Sequence, residues 1–323
     1  MSISSLHPYV GVIVLCHNGV DLTLDCLATL YRQDYPLFDV TVVDNDSQDG
    51  TVEAVRAQYP QAQIISTHAN LGYASGNNVG IRAALDRGLD LCFLVNNDTL
   101  LYPSCISNLV NTVENRSSAG IVGPMVHTWE NTGKISSAGG MIDWRHANAI
   151  NVGAGENDHA QYPARLVDFI NGCGIMVTRE AIQRAGMLDP KFFMYWEETD
   201  WCMRVKNAGF EILFEPKARM QHKATILDDE LGPTTIYYLT RNRLLFFNRY
   251  TKYPLKPLTL FSAVHGALSG IRKNRQAGRY AHAKATQVAI LHAFQRRWGR
   301  ADPALWSGNT GLQGRSYSPY NFV

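Results

Sequence analysis

Sixty consecutive residues of this 323-residue chain, 241–300, contain no aspartate or glutamate, although they carry 13 lysines and arginines. A net charge of +2 hides the imbalance, because residues 1–240 hold 16 basic against 27 acidic side chains, a balance of −11. Such asymmetry points to an anionic partner for the basic segment: a membrane surface, a phosphate-bearing substrate, nucleic acid, or the acidic region beside it. Nucleic acid is the weakest of these, since no fold signature of a nucleic-acid reader accompanies the charge. Cysteine is sparse. Six are scattered with no Cys-x-x-Cys pair, which argues against a zinc site or a disulfide framework and suits reduced thiols in a cytoplasmic protein. No apolar run reaches the roughly 18 to 20 residues of a membrane span. The segment Met1-Ser2-Ile3-Ser4-Ser5 lacks the basic region of a signal peptide. Internal repeats are missing too, and so is G-x-G-x-x-G: Cys16-His17-Asn18-Gly19 follows the first strand pattern instead. A dehydrogenase-type dinucleotide site is therefore disfavoured.

What is present is alternation. Strand patterns over 10–15, 40–43, 63–66, 91–95 and 120–122 interleave with helical patterns over 22–32, 50–58, 75–87 and 103–115. This βαβα order predicts an α/β fold with a mostly parallel central sheet covered on both faces by helices. The Gly- and Asn-rich stretch 129–162 reads as hairpins and loops, 167–178 as a strand, 199–208 as a helix stopped by Gly209, and 210–214 as a return to the sheet. From Thr234 the pattern turns helical, over 236–249, 258–271 and 281–297, before a Gly-, Ser- and Pro-rich tail from 301 to 323 that reads as loop or disorder. Three regions follow: a sheet domain over 1–233, a basic helical extension over 234–300, and the tail.

The apolar run Leu91-Cys92-Phe93-Leu94-Val95 stops at Asn96-Asn97-Asp98. In an open α/β sheet ligands bind beyond the carboxyl ends of such strands, and oxygen ligands two residues apart suit a hard cation such as Mg²⁺. A helix-capping Asn/Asp turn would explain the same triplet. Asp44, ending a second strand, can accept hydrogen bonds from a nucleobase or ribose, or it can cap the next helix. The loop Asn70-Leu71-Gly72-Tyr73-Ala74-Ser75-Gly76-Asn77 enters a helix whose free N–H groups suit an anion, with glycines that permit close approach. Tyr195-Trp196-Glu197-Glu198-Thr199-Asp200-Trp201 places acids between aromatics at a helix start. The helix dipole favours acids there, and Asp200 has Arg204 at i+4 as an ordinary partner. Glu198 among Tyr195, Trp196 and Trp201 also suits a sugar, which offers apolar C–H faces and hydroxyl edges. His222 alone carries little signal.

Taken in order, these motifs resemble the family-2 inverting glycosyltransferases with the GT-A nucleotide-diphospho-sugar transferase fold, rhamnosyltransferase-like branch. The resemblance covers roughly residues 8–250. It runs through Val12-Ile13-Val14 with Asn18, Val42-Val43-Asp44-Asn45-Asp46-Ser47, Asn70-Leu71-Gly72-Tyr73 with Gly76 and Asn77, and Asn96-Asn97-Asp98-Thr99. Asn171-Gly172-Cys173, Gly186-Met187-Leu188-Asp189, Glu197-Glu198-Thr199-Asp200-Trp201 and Arg241-Asn242-Arg243 continue it. Each motif alone is weak, but the ordered set is specific.

The resemblance implies donor-nucleotide contacts at Asn18, Asp44, Asn70, Gly72, Gly76, Asn77 and Asn97, and a catalytic base at Glu198. It implies Mg²⁺ or Mn²⁺ held by Asn96, Asp98 and His222, and an acceptor or sugar region at Gly172, Cys173, Trp196, Glu197, Asp200 and Trp201. Asn96 departs from the family's Asp-x-Asp pattern, which shifts metal binding onto Asp98, His222 and the donor's diphosphate. The implied activity is transfer of a sugar, rhamnose first, from a nucleoside diphosphate donor to a saccharide or lipid-linked saccharide in bacterial cell-surface polysaccharide synthesis. The implied location is cytoplasmic, with peripheral membrane attachment through the basic helices as one role for them; docking on the acidic domain or a homodimer are others. A nucleotide-sugar-binding protein without transferase activity is the alternative that Asn96 keeps open. A nucleotidyltransferase would carry a Gly-rich basic loop where Cys16-His17-Asn18-Gly19 stands.

Overall fold

The computed structural model describes residues 7–129, 133–223 and 231–307, and the chain separates into two compact units. The first comprises 1–141, 151–188 and 198–225; the second comprises 142–150, 189–197 and everything from 226 onward.

In the first unit, Val10–Cys16 (β1) and Leu91–Asn96 (β4) are apolar without alternation and buried almost throughout, as strands covered on both faces must be. β1 pairs in parallel with β4 and with Phe38–Asp44 (β2), and β2 in parallel with Gln63–Ser66 (β3). Val20–Leu30 (α1), Thr51–Gln58 (α2), Gly72–Asp86 (α3) and Cys105–Glu114 (α4) alternate with them. Gly174–Thr178 (β11) runs antiparallel between β4 and Ala119–Thr128 (β6), and Glu211–His222 (β12) lies parallel to β6. The two-residue Arg165–Leu166 (β10) completes the order β10-β12-β6-β11-β4-β1-β2-β3, with Thr99–Leu101 (β5) joined to β12 and Ile135–Ser137 (β7) to β6. Gly140–Asp143 (β8) and Asn148–Asn151 (β9) form a separate hairpin.

Three expectations are corrected. The strand predicted over 167–178 is broken, because Asn171 turns the chain: its Oδ1 accepts from Cys173 N at 3.1 Å, and only β11 remains extended. A helix not foreseen, Arg179–Ala185 (α5), follows directly, capped by the Thr178 hydroxyl, which accepts from Ala181 N at 3.2 Å. The strand predicted over 210–214 continues to His222. Its register against β6 shifts between Glu215 and Arg219, a bulge that takes up Pro216, which has no N–H for a ladder.

The second unit holds Pro233–Tyr250 (α7), Lys256–Gln276 (α8) and Tyr280–Phe294 (α9). Tyr237, Tyr238, Ala285, Val288, Ala289 and Trp306 form its core. Trp306 is therefore ordered, stacked on Tyr237 at 4.5 Å between ring centres, where loop or disorder was expected. The rest of that tail expectation, 308–323, lies outside the described residues. Arg241, Asn242 and Arg243 of α7 each bind irregular backbone. Arg241 donates to Lys191 O at 3.1 Å and Phe192 O at 3.0 Å, Asn242 Nδ2 to Phe192, Met194 and Tyr195 carbonyls at 2.8, 2.8 and 2.9 Å, and Arg243 to His146 O at 2.9 Å. The turn that Asn242 gathers holds Phe193, Tyr195 and Trp196 at φ of 65°, 66° and 75°. Left-handed backbone at such side chains costs about 1–3 kcal/mol each and persists only where surrounding bonds over-determine it.

Candidate active site

Parallel pairing brings the carboxyl ends of β1, β2, β3 and β4 to one edge: Cys16 lies opposite Asp44, Leu15 opposite Asn96, and Asp44 opposite Ser66. Asp44 is buried there, and its Oδ1 accepts from Ser47 N at 3.0 Å. Asn18, at φ 66°, accepts from Gln48 N at 2.8 Å through Oδ1. Asn97 is buried, and its Nδ2 donates to Asn18 O at 3.2 Å and Thr23 Oγ1 at 3.0 Å. Asn70 Oδ1 accepts from Gly72 N at 2.9 Å, at the start of α3.

A residue the sequence reading passed over, Asn45, joins these loops. Its Oδ1 accepts from Leu71 N at 2.9 Å and its Nδ2 donates to Asn70 Oδ1 at 3.3 Å. Its place inside Asp44-Asn45-Asp46 was the available signal. Gly76 and Asn77 sit one turn further in and are buried. A Cβ on Gly76 would meet Leu15 Cδ1 at 2.6 Å, so close helix–sheet packing, rather than a ligand, explains this glycine. Asn77 Nδ2 donates to Tyr73 O at 3.0 Å, within its own helix.

Beyond β4 the chain turns at Asn97 and Asp98 into β5, not into a helix. Antiparallel pairing of β5 with β12 sets Thr99 opposite His222. His222 is thus the last residue of β12 rather than part of a loop after it. Its Nε2 lies 3.2 Å from Asp98 Oδ1, with both atoms buried. An imidazole nitrogen and a carboxylate oxygen facing one another in this way suit a divalent cation between them. Asn96 reaches this point through its backbone, donating N–H to Cys173 O at 3.1 Å and accepting from Thr99 Oγ1 at 2.7 Å. Among the described residues no three His, Cys, Asp or Glu side chains converge. A cation here would have two such protein ligands, and its remaining positions would fall to Asn96, water or a bound phosphate.

The loop between β10 and β11 brings in the third group. Tyr73 Oη donates to Gly172 O at 2.5 Å, and a Cβ on Gly172 would lie 3.0 Å from Tyr73 Oη and 3.6 Å from Glu198 Cβ. Gly172 therefore separates Tyr73 from Glu198, which opens Glu197–Asn207 (α6). Glu198 is half-buried, and burial is the largest influence on its carboxyl, pushing the pKa above the ordinary glutamate range; the charge of Asp200 adds to this. The N–H groups of Glu198 and Thr199 and the Thr199 hydroxyl, which donates to Oε1 at 3.3 Å, pull the other way.

The other residues of the expected sugar region are buried. Trp201 is buried with its indole N–H on Gly186 O at 2.7 Å, so it faces the core and not a sugar. Asp200, also buried, binds Arg204 Nε at 2.8 Å. The Cys173 side chain lies in the main hydrophobic cluster, and burial raises its thiol pKa far out of reactive range. Trp196 is buried against Phe246 and Phe247, with ring centres 5.2 and 5.6 Å away, and Glu197 is buried as well.

Comparison with known proteins adds a family and a fold. The family described as "Glycosyltransferase like family 2" matches residues 7–237. An N-acetylglucosaminyl-diphospho-decaprenol L-rhamnosyltransferase of Mycobacterium tuberculosis is 26% identical over 203 residues, which span 57% of this chain and 66% of that protein. A dTDP-rhamnosyl transferase of Shigella flexneri is 25% identical over 242 residues, spanning 71% of this chain and 78% of the relative. Among solved structures, a mannosyltransferase from Pyrobaculum calidifontis in complex with GDP-Man and Mn²⁺ has a TM-score of 0.57 at 17% identity, covering 91% of this chain and 89% of the other. GalNAc-T7 with UDP, GalNAc and Mn²⁺ reaches 0.61 at 13% identity, over 92% of this chain and 56% of its own. At these identities the structural likeness is one of fold.

Proposed function

This chain belongs to glycosyltransferase family 2 and has the GT-A fold, and from that premise we propose that it moves a sugar, rhamnose first, from a nucleoside diphosphate to a hydroxyl of a saccharide or lipid-linked saccharide, inverting the anomeric centre. The observation that carries this is the half-buried Glu198, raised in pKa and aimed by Thr199, beside Gly172. Rhamnose is favoured by the rhamnosyl transfer that names the Mycobacterium and Shigella relatives. Residues 1–233 are assigned to catalysis and the helices of 234–300 to peripheral attachment at the cytoplasmic face of a membrane.

In this mechanism Glu198 takes the proton from the acceptor hydroxyl as its oxygen attacks the anomeric carbon. The new C–O bond forms opposite the breaking bond to the diphosphate, which departs with the electron pair. A positioned general base contributes about 10² to 10⁴ in rate. Asp98 and His222 would hold Mg²⁺ or Mn²⁺, which when bound neutralises charge on the diphosphate. Asp44, Asn45, Asn70 and the N-terminus of α3 supply the mouth in which the nucleotide is received.

The test is Glu198→Gln. Transfer from dTDP-rhamnose should fall by about 10² to 10⁴ while donor affinity stays nearly unchanged; an active variant would overturn the assignment of the base. The second reading, a nucleotide-sugar-binding protein, is favoured by Asn96 and by the absence of a three-ligand cluster among the described residues. Donor turnover by the wild type, abolished by EDTA, would exclude it.

A further inference from the structure

Two helices of the second unit, α8 and α9, carry bulky apolar residues on their exposed faces. On α8 the face packed inward consists mainly of small or polar residues, Thr259, Ala263, Ala267 and Asn274 with Ile271. The bulky residues point outward: Leu258 is 47% exposed, Phe261 66% and Leu268 54%. Positions 258, 261, 265, 268, 272 and 275 recur at spacings of three and four, so they form one stripe along the helix. His265 lies mid-stripe, and Arg272 and Arg275 end it. On α9 the buried set again includes Ala283, Ala285 and Ala289, while Tyr280 is 71% exposed, Leu291 52% and Phe294 72%, in line with Lys284. Isolated exposed apolar residues are ordinary, but ordered stripes of them mark an interaction surface.

We propose that the outer faces of α8 and α9 dock in the plane of an anionic bilayer, with Leu258, Phe261, Leu268, Leu291 and Phe294 entering the headgroup–acyl boundary. This rests on the peripheral attachment proposed above and gives it a surface. Charge complementarity selects the occupant: neither helix contains an acidic residue, nor does any position from 241 to 300. A protein partner of mixed charge would leave much of that excess uncompensated, whereas phosphate headgroups match it everywhere. No helix among the described residues is long and apolar enough to cross a membrane, so these helices lie on the bilayer rather than span it.

The experiment is co-sedimentation of the full chain with vesicles. Wild type should bind vesicles containing phosphatidylglycerol about tenfold or more tightly than pure phosphatidylcholine vesicles, and salt should weaken the binding. Arg272→Gln with Arg275→Gln should cost about fivefold per charge removed. Phe261→Ser with Leu268→Ser should release the protein, with an unchanged circular-dichroism melt as proof of folding. Equal binding to both vesicle types, no binding, or unaltered binding by the Phe261/Leu268 variant would overturn the proposal. A concentration-dependent dimer abolished by that variant, without vesicle binding, would assign the face to a second copy. The readout is lipid binding, so it stands whether or not the transferase assignment does.

Discussion

At Glu198 the same burial that makes a stronger base also burdens the fold. The raised pKa means the folded state holds its proton more tightly than the unfolded chain. The ionised carboxylate therefore costs stability above the folded pKa, and that cost vanishes below the unfolded value, about 4.3. Glu198→Gln should accordingly melt at a higher temperature than wild type at neutral pH, with the gain disappearing in acid. The proposed role as base requires the ionised form, so the acid limb of the rate profile should lie above the pH at which an ordinary glutamate titrates. A limb at or below that pH would remove Glu198 as the base. Asp200 is held by Arg204 at 2.8 Å, and its charge adds to the rise at Glu198.

Among the elements, the pairing of β5 with β12 does most to build the site, and the turn over 192–196 does most to shape the second unit. The strand β4 and its polar stop were legible, because a buried parallel strand must be apolar throughout and must end where backbone groups meet water. The pairing of Asp98 with His222 was expected from the family resemblance alone: His222 arrives through a bulged strand, and register between distant segments leaves no local trace. The left-handed turn was equally hidden, since Phe193, Tyr195 and Trp196 have no propensity for that backbone. Asn242 holds it with one amide. Asn242→Ala should cost about 1–3 kcal/mol, because buried carbonyls lose their donor, read as a lower urea midpoint. Asn242→Asp should cost more, since an acceptor would then face three carbonyls. Equal stability of all three proteins would show that the aromatic packing alone sustains the turn.

For the whole molecule, the scattered cysteines behave as sparse buried apolar residues. All six are free and buried, and burial pushes the thiols of Cys16, Cys26, Cys92 and Cys202 up to about 12. A thiol reagent such as Ellman's should titrate none of them in the native protein and all six after denaturation; one fast-reacting thiol in the native state would contradict the burial. The sequence by itself determined the alternation of strands and helices up to β4, the carboxylate after its end and the separation of charge between the two ends of the chain. Those follow from local periodicity and from residue chemistry, which do not depend on neighbours far along the chain. Only the tertiary structure decided which groups were left available for chemistry. It gave Trp201 to a carbonyl and Gly76 to Leu15, and it set Glu198 beside Gly172 and Asp98 against His222. The physical reason is that a side chain's function depends on its nearest partner and on its dielectric surroundings, and both are set by packing between segments distant in sequence.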